Sequence, residues 1–139
     1  MPPEGHSSLS AADQALIAAA TDVLLRHYRL YWNTIAAALR SQDGRIWTGI
    51  HLGTRVGRMS VCAESIAFGR ALLEGDGTAE TIIALRHPKP DERDGVIEIV
   101  SPCAACRELL MDYAPDCTVI VPGPLCVPVR DLLPMPFRR

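Results

Sequence analysis

Cys103 and Cys106 lie three residues apart in I-V-S-P-C-A-A-C-R-E-L-L, residues 99–110, where a short apolar run meets Pro102 and then a helical pattern. Two cysteines so placed suit a redox dithiol, half of a metal site, or ordinary packing. Earlier in the chain, Val61-Cys62-Ala63-Glu64 opens another helical run. If both helices leave one sheet, three sulfurs meet at two helix N-termini. The partial positive charge there lowers thiol pKa and favours the thiolate, the form that binds metal. Three sulfur ligands leave one position of a tetrahedral zinc ion open, which marks a catalytic rather than a structural site. Glu64, two residues after Cys62, can face that position without becoming a ligand.

These residues need elements to carry them. Ser10 caps a helix running to about Tyr28, with Leu16, Ala20, Val23 and Leu24 on one face. Residues 34–40 and 45–50 flank Ser41-Gln42-Asp43-Gly44, and Asp-Gly signals a β-hairpin. Residues 51–60 hold two Gly and two Arg with no clear period and read as a loop. A helix from about Cys62 to Leu73 ends at Gly75-Asp76-Gly77. Strands are expected at 81–86, 96–100 and 118–121, with an edge strand at 125–129 and a polar loop at 87–95. Cys103 to Tyr113 is the third helix, and the tail DLLPMPFRR has room for one helical turn. The order predicts an α/β domain of three layers, α/β/α, with a mixed sheet of about five strands and the zinc site at two helix N-termini. All 139 residues are expected to form one domain, with 1–9 a loose end.

Composition narrows the partners. A net charge of −2 gives no electrostatic reason to expect a nucleic-acid polymer or an acidic membrane. No stretch resembles a signal peptide or reaches the length of a membrane span, so the expected location is the cytoplasm, where thiols stay reduced. Five Cys, an odd number, argues against a disulfide framework. Cys117 and Cys126 sit in apolar runs and read as core, and Trp32 and Trp47 as packing.

Cys62-x-Glu64 followed by Pro102-Cys103-x-x-Cys106 resembles the signature of the zinc deaminases, with Cys where some branches have His. DGRIWTG (43–49), SPCAACREL (101–109) and RDLLPMPF (130–137) extend the likeness to the small free-nucleoside branch, the cytidine deaminases and blasticidin-S deaminase. The resemblance covers nearly the whole chain from about residue 10. It implies zinc on Cys62, Cys103 and Cys106 activating water. Glu64 would take the water proton, pass it to the ring nitrogen, and then help the amine leave as ammonia. It also implies that main-chain groups at Ala63 and Ser101 hold the ring's carbonyl and amino groups. A C-terminal Phe, matched by Phe137, would reach a neighbouring subunit's site in a homotetramer.

The chain departs from that pattern in places. The family's Asn-x-Glu pair, which grips the ribose hydroxyl eleven and nine residues before the first Cys, is replaced by His51 and Gly53. Losing a charged hydrogen bond to the sugar costs roughly 1.5–3 kcal/mol. Blasticidin-S deaminase also lacks that Glu. The Phe beside the base aligns near Asn33, and Tyr31 or Trp32 could replace the lost stacking wall. Ser65 stands where many three-Cys members carry Arg after the Glu. Arg107 and the helix dipoles are expected to offset the charge of the thiolates. Arg55 and Arg58 are candidates for meeting an acidic group on an unusual substrate, such as a sugar carboxylate.

The reading is therefore a zinc-dependent deaminase of a cytosine-type nucleoside or a modified analogue such as blasticidin S. The alternatives are an ordinary cytidine or deoxycytidine deaminase of pyrimidine salvage, and a non-catalytic zinc-binding oligomer.

Overall fold

A computed structural model describes residues 9–138. The loose end expected at 1–9 thus lies outside the described residues except for Leu9, which packs half-buried against the core instead of standing free.

The first helix, α1 (Ala11–His27), begins where its capping chemistry predicts. Ser10 Oγ accepts the Asp13 N–H at 3.2 Å, and the Asp13 carboxylate accepts the Ser10 N–H at 3.2 Å. Leu16, Ala20, Val23 and Leu24 are its buried stripe. Strands β1 (Ile35–Arg40) and β2 (Ile46–Ile50) form the expected hairpin, with Leu39 opposite Trp47 and Gly44 at φ +88° in the turn. Helix α2 (Ala63–Glu74) and strand β3 (Thr81–Arg86) follow. Then come β4 (Glu98–Val100), α3 (Ala104–Tyr113), β5 (Thr118–Val121), β6 (Leu125–Pro128) and a short 3-10 turn at Val129–Leu132.

The sheet runs β2-β1-β3-β5-β6, with β4 also paired to β3. It has six strands rather than about five, because part of the 96–100 run does pair. That strand is only three residues long, since Val96 is exposed and Ile97 stays outside the ladder. One side of β3 is forked. Its first half lies parallel to β5, from Thr81↔Thr118 to Ile83↔Ile120, and its second half antiparallel to β4, from Ala84↔Val100 to Arg86↔Glu98.

Alternation along the strands divides the core into two sides. Ala36, Ala38, Ile83 and Leu85 meet α1 on one side. Ala37, Leu39, Ile82 and Val119 meet α2 and α3 on the other. This is the three-layer α/β/α arrangement. Burying both faces explains why residues 35–40 and 81–86 read as near-continuous apolar runs. Helix α2 presses so closely on β2 that a Cβ at Gly49 would lie 2.3 Å from the Ala63 carbonyl oxygen and 2.6 Å from the Ala67 nitrogen.

Candidate active site

Cys62 and Cys103 are the N-cap residues of α2 and α3, both in extended backbone conformation and neither making a side-chain capping bond. At this position a Ser or Asp would accept an N–H from the first turn. Here the sulfurs face one another instead, 3.4 Å apart, and Cys106 Sγ joins them, with all three within 4.8 Å. A tetrahedral zinc ion bound at about 2.3 Å holds its sulfurs about 3.8 Å apart. The donor set, three soft sulfurs at that range, fits such an ion.

The expectation that the helix ends lower the pKa of every thiol needs correcting. Burial works against the Cys103 thiolate, but the backbone N–H groups of Cys106 and Ala105 and the neighbouring thiols outweigh it and bring Cys103 down. Cys62 goes up, through burial and then the Cys103 contact, and Cys106 goes up further through burial and the Glu64 charge. Burial is the first cause at Cys62 and Cys106, and the crowding of negative groups adds to it, so the helix ends favour the thiolate at Cys103 alone.

Glu64 sits in the first turn of α2 with 5% of its surface exposed. Burial raises its pKa, which suits a carboxyl that takes and returns a proton. Glu64, Cys62, Ala63 and Cys103 border a cavity of about 150 Å³. His51 and Ser101 supply further polar wall, and Ile35, Ala84 and Val100 the apolar wall. The cavity opens where β3 forks, so β4 runs straight into Ser101, Pro102 and Cys103.

Of the residues singled out from sequence, His51, Ala63 and Ser101 thus meet Glu64 and the cysteines at one cavity. Asn33 does not line it. Its Nδ2 donates to the His51 carbonyl at 3.0 Å and ties down the strand end that carries His51. Tyr31 and Trp32 lie outside the cavity wall, Tyr31 on an exposed turn at φ +70°. Arg55 and Arg58 are exposed on the 51–60 loop and also lie outside the lining. Phe137 is 81% exposed and borders a separate surface hollow with Glu108, Asp112 and Tyr113. Arg107, expected to offset the thiolate charge, is held beside the site by two carbonyls. Its Nε donates to the Pro102 carbonyl at 2.9 Å and its Nη1 to the Leu132 carbonyl at 3.1 Å, which braces the Cys103 turn against the tail.

Sequence reasoning missed Thr34, whose backbone N–H donates to His51 Nδ1 at 3.2 Å, and the apolar wall of Ile35, Ala84 and Val100. Opposing alternation in 35–40 and 81–86 could have put Ile35 and Ala84 on one face, but nothing in the sequence tells which face carries the cavity.

No family model matches the chain. It is 39% identical over 135 residues to the blasticidin-S deaminase of Bacillus cereus, covering 95% of this chain and 96% of that protein. It is 29% identical over 79 residues to a probable cytidine deaminase of Dictyostelium discoideum, covering 57% of this chain and 49% of that one. The cytidine deaminase of Mycobacterium tuberculosis superposes with a TM-score of 0.75 at 23% identity, over 91% of this chain and 97% of that chain. The Burkholderia pseudomallei cytidine deaminase gives 0.73 at 26% identity, over 93% and 100%.

Proposed function

The chain belongs to the cytidine deaminase superfamily, and we propose that it hydrolytically deaminates a cytosine-type nucleoside or a modified analogue such as blasticidin S, with zinc on Cys62, Cys103 and Cys106. The observation that carries this is a buried carboxyl, Glu64, beside three clustered sulfurs at the wall of a cavity. When bound there, zinc supplies Lewis-acid activation of a water molecule.

The protein's own groups do the rest. Main-chain groups of Ala63 and Ser101 hold the ring's amino and carbonyl groups. Glu64 takes the water proton and passes it to the ring nitrogen; it then takes the proton of the newly added hydroxyl and passes it to the amino group, which leaves as ammonia while the C=O forms. The apolar wall of Ile35, Ala84 and Val100 keeps bulk water from the proton path. The 39% identity to a blasticidin-S deaminase and the absence of a side chain at Gly53 favour a modified nucleoside over plain cytidine.

A cavity of about 150 Å³ is smaller than the roughly 300–1,000 Å³ that encloses a whole small ligand, so it fits the ring alone. That supports a homo-oligomer, a tetramer, in which Phe137 completes a neighbouring site. Met135 and Phe137 are 96% and 81% exposed on a single chain. Among the described residues no helix is long and apolar enough to cross a membrane. All five cysteines are free, which fits a reducing cytoplasm.

Ammonia release by the zinc-loaded protein from blasticidin S, cytidine, deoxycytidine and cytosine, with Glu64→Ala as the blank, tests the reading. Turnover led by blasticidin S and lost in Glu64→Ala is expected. Turnover led by cytidine favours the salvage role. Full zinc content with no turnover on the panel leaves a zinc-binding oligomer.

A further inference from the structure

We infer that the two N-cap cysteines are a site of oxidative modification: a hydroperoxide oxidises Cys103, and Cys62 then closes a disulfide to it across the two helix starts. The inference rests on the cysteine set of the deaminase reading above and adds a second reaction to it.

The three clustered sulfurs differ in what reaches them. Cys103 is exposed, Cys62 is half-buried, and Cys106 has 1% of its surface accessible. Cys62 and Cys103 line the cavity beside Glu64, and Cys106 is not part of that lining. A small polar oxidant entering the cavity therefore meets Cys103 and Cys62. Cys106 lies in the first turn of α3, on the same buried stripe as Leu110.

Cys62 and Cys103 are also placed to react with one another. Their sulfurs are 3.4 Å apart. Both residues have extended backbone and neither sulfur makes a capping bond, so each side chain turns without breaking a helix contact. Closing from 3.4 Å to the roughly 2.05 Å of a disulfide takes about 1.4 Å, shared between two side chains. Cys106 Sγ also lies within 4.8 Å. Drawing it towards Cys103, however, opens core contacts that the route through Cys62 leaves intact.

The Cys103 thiolate takes the terminal oxygen of ROOH, the O–O bond breaks, and Cys103 becomes a sulfenic acid while RO⁻ picks up a proton and leaves as ROH. The Cys62 thiolate attacks the Cys103 sulfur, the S–O bond breaks, and hydroxide leaves as water. Two thiolates give up two electrons, the peroxide takes them, and solvent supplies two protons. A disulfide sulfur no longer offers a thiolate, so the donor set falls from three to Cys106 alone, too few to hold zinc. In a reducing cytoplasm such a bond is transient, as redox-sensing disulfides are.

The test treats the zinc-loaded wild type with hydrogen peroxide. Zinc release is followed with a chromogenic chelator, and tryptic peptides are mapped without reduction. Cleavage after Arg58, Arg70, Arg93 and Arg107 puts Cys62 in 59–70 and both Cys103 and Cys106 in 94–107. Loss of the bound zinc is expected, with the two peptides joined and fragmentation placing the bond at Cys103. Dithiothreitol and fresh zinc should restore the unlinked peptides and the metal content. A bond within 94–107, a joint at Cys106, or sulfinic acid at Cys103 with the peptides unlinked overturns the inference. Zinc-free Cys106→Ser should still join the two peptides, whereas Cys62→Ser should leave a sulfenic acid at Cys103 that dimedone traps. Cys62→Ser losing its Cys103 thiol to Cys106 as fast as the wild type links to Cys62 would remove the closing role of Cys62. The map needs no turnover. Linkage in a protein that deaminates nothing keeps this inference and removes the deaminase reading; deamination without linkage does the reverse.

Discussion

Gly49 is the sharpest test of how the fold positions the chemistry. A methyl added there would lie 2.3 Å from the Ala63 carbonyl oxygen and 2.6 Å from the Ala67 nitrogen. Ordinary van der Waals contact begins near 3.4 Å, so α2 and β2 must part by about 1 Å. Both atoms are backbone and cannot swing aside. Ala63 lies between Cys62 and Glu64, so the shift falls on the proposed zinc ligand and the proposed proton carrier together. Overpacking of this kind costs about 1–3 kcal/mol, or roughly 3–12 °C in Tm for a chain of this length. Displacing a reacting group by about 1 Å costs on the order of 100-fold in rate. Gly49→Ala is therefore expected to lose both stability and turnover. Gly69→Ala, on the same helix with nothing within 4 Å, is the matched control. It should gain up to about 1 kcal/mol from helix propensity and leave turnover unchanged. Thermal melts and ammonia release on the two variants decide the matter. Gly49→Ala with wild-type Tm and rate would refute the idea that this close approach sets the site.

Asp13, buried at the start of α1, accepts from Arg40 Nη2 at 3.0 Å as well as from the Ser10 N–H. Burial opposes its charge, but those bonds prevail and hold its pKa below the ordinary 3.8. The stability it contributes is therefore full above that value and is lost as pH falls through the lower folded pKa. Asp13→Asn should cost about 1.5–3 kcal/mol near pH 7, and its gap to wild type should close below about pH 4; parallel melts across pH would show a constant gap if the pairing is idle. Chelation should lower Tm, by about 2.7 kcal/mol of lost binding if zinc had stood at 100 times its Kd. Hydrogen exchange should then speed up in the first turns of α2 and α3 and not in α1. Cys106→Ser should lose zinc while Cys117→Ser, with its thiol on the Thr118 carbonyl, keeps it; metal analysis showing equal zinc in both would reject the ligand set.

Local chemistry made much of this legible in advance. Ser10 announced α1, Asp43-Gly44 the hairpin, and Gly75-Asp76-Gly77 the end of α2, because caps and turns are decided within a few residues. Cys62, Glu64, Cys103 and Cys106 could be gathered before any coordinates because each falls at a helix start and together they resemble the zinc-deaminase signature, and the three sulfurs do cluster. Properties set by distant neighbours were not legible. Val96 and Ile97 suit a strand as well as Glu98 does, but in register they would face His87 and Pro88, past the end of β3 at Arg86. The pKa of Cys106 depends on Glu64 and Cys62, which arrive from another helix. Sequence shows the charge of Arg107 but not the two carbonyls that fix where that charge sits. Gly53 looked like a deletion, whereas a Cβ there would lie 2.6 Å from the Tyr31 carbonyl oxygen, so the turn at 29–33 makes it a steric requirement.

The fork in β3 also makes part of the chain interchangeable. Residues 87–97 leave that strand at Arg86 and return directly beside it, with Glu98 opposite Arg86 in register. The Arg86 guanidinium fastens the two ends, at 2.7 Å to Glu92 and 2.6 Å to Glu98. Closing a loop whose ends are already held costs only about 0.6 kcal/mol for each doubling of its length. The excursion is thus a port: an epitope, a reporter or a whole second module inserted at 93–95, beyond His87 and Glu92, leaves the strand that delivers Ser101 and Cys103 anchored.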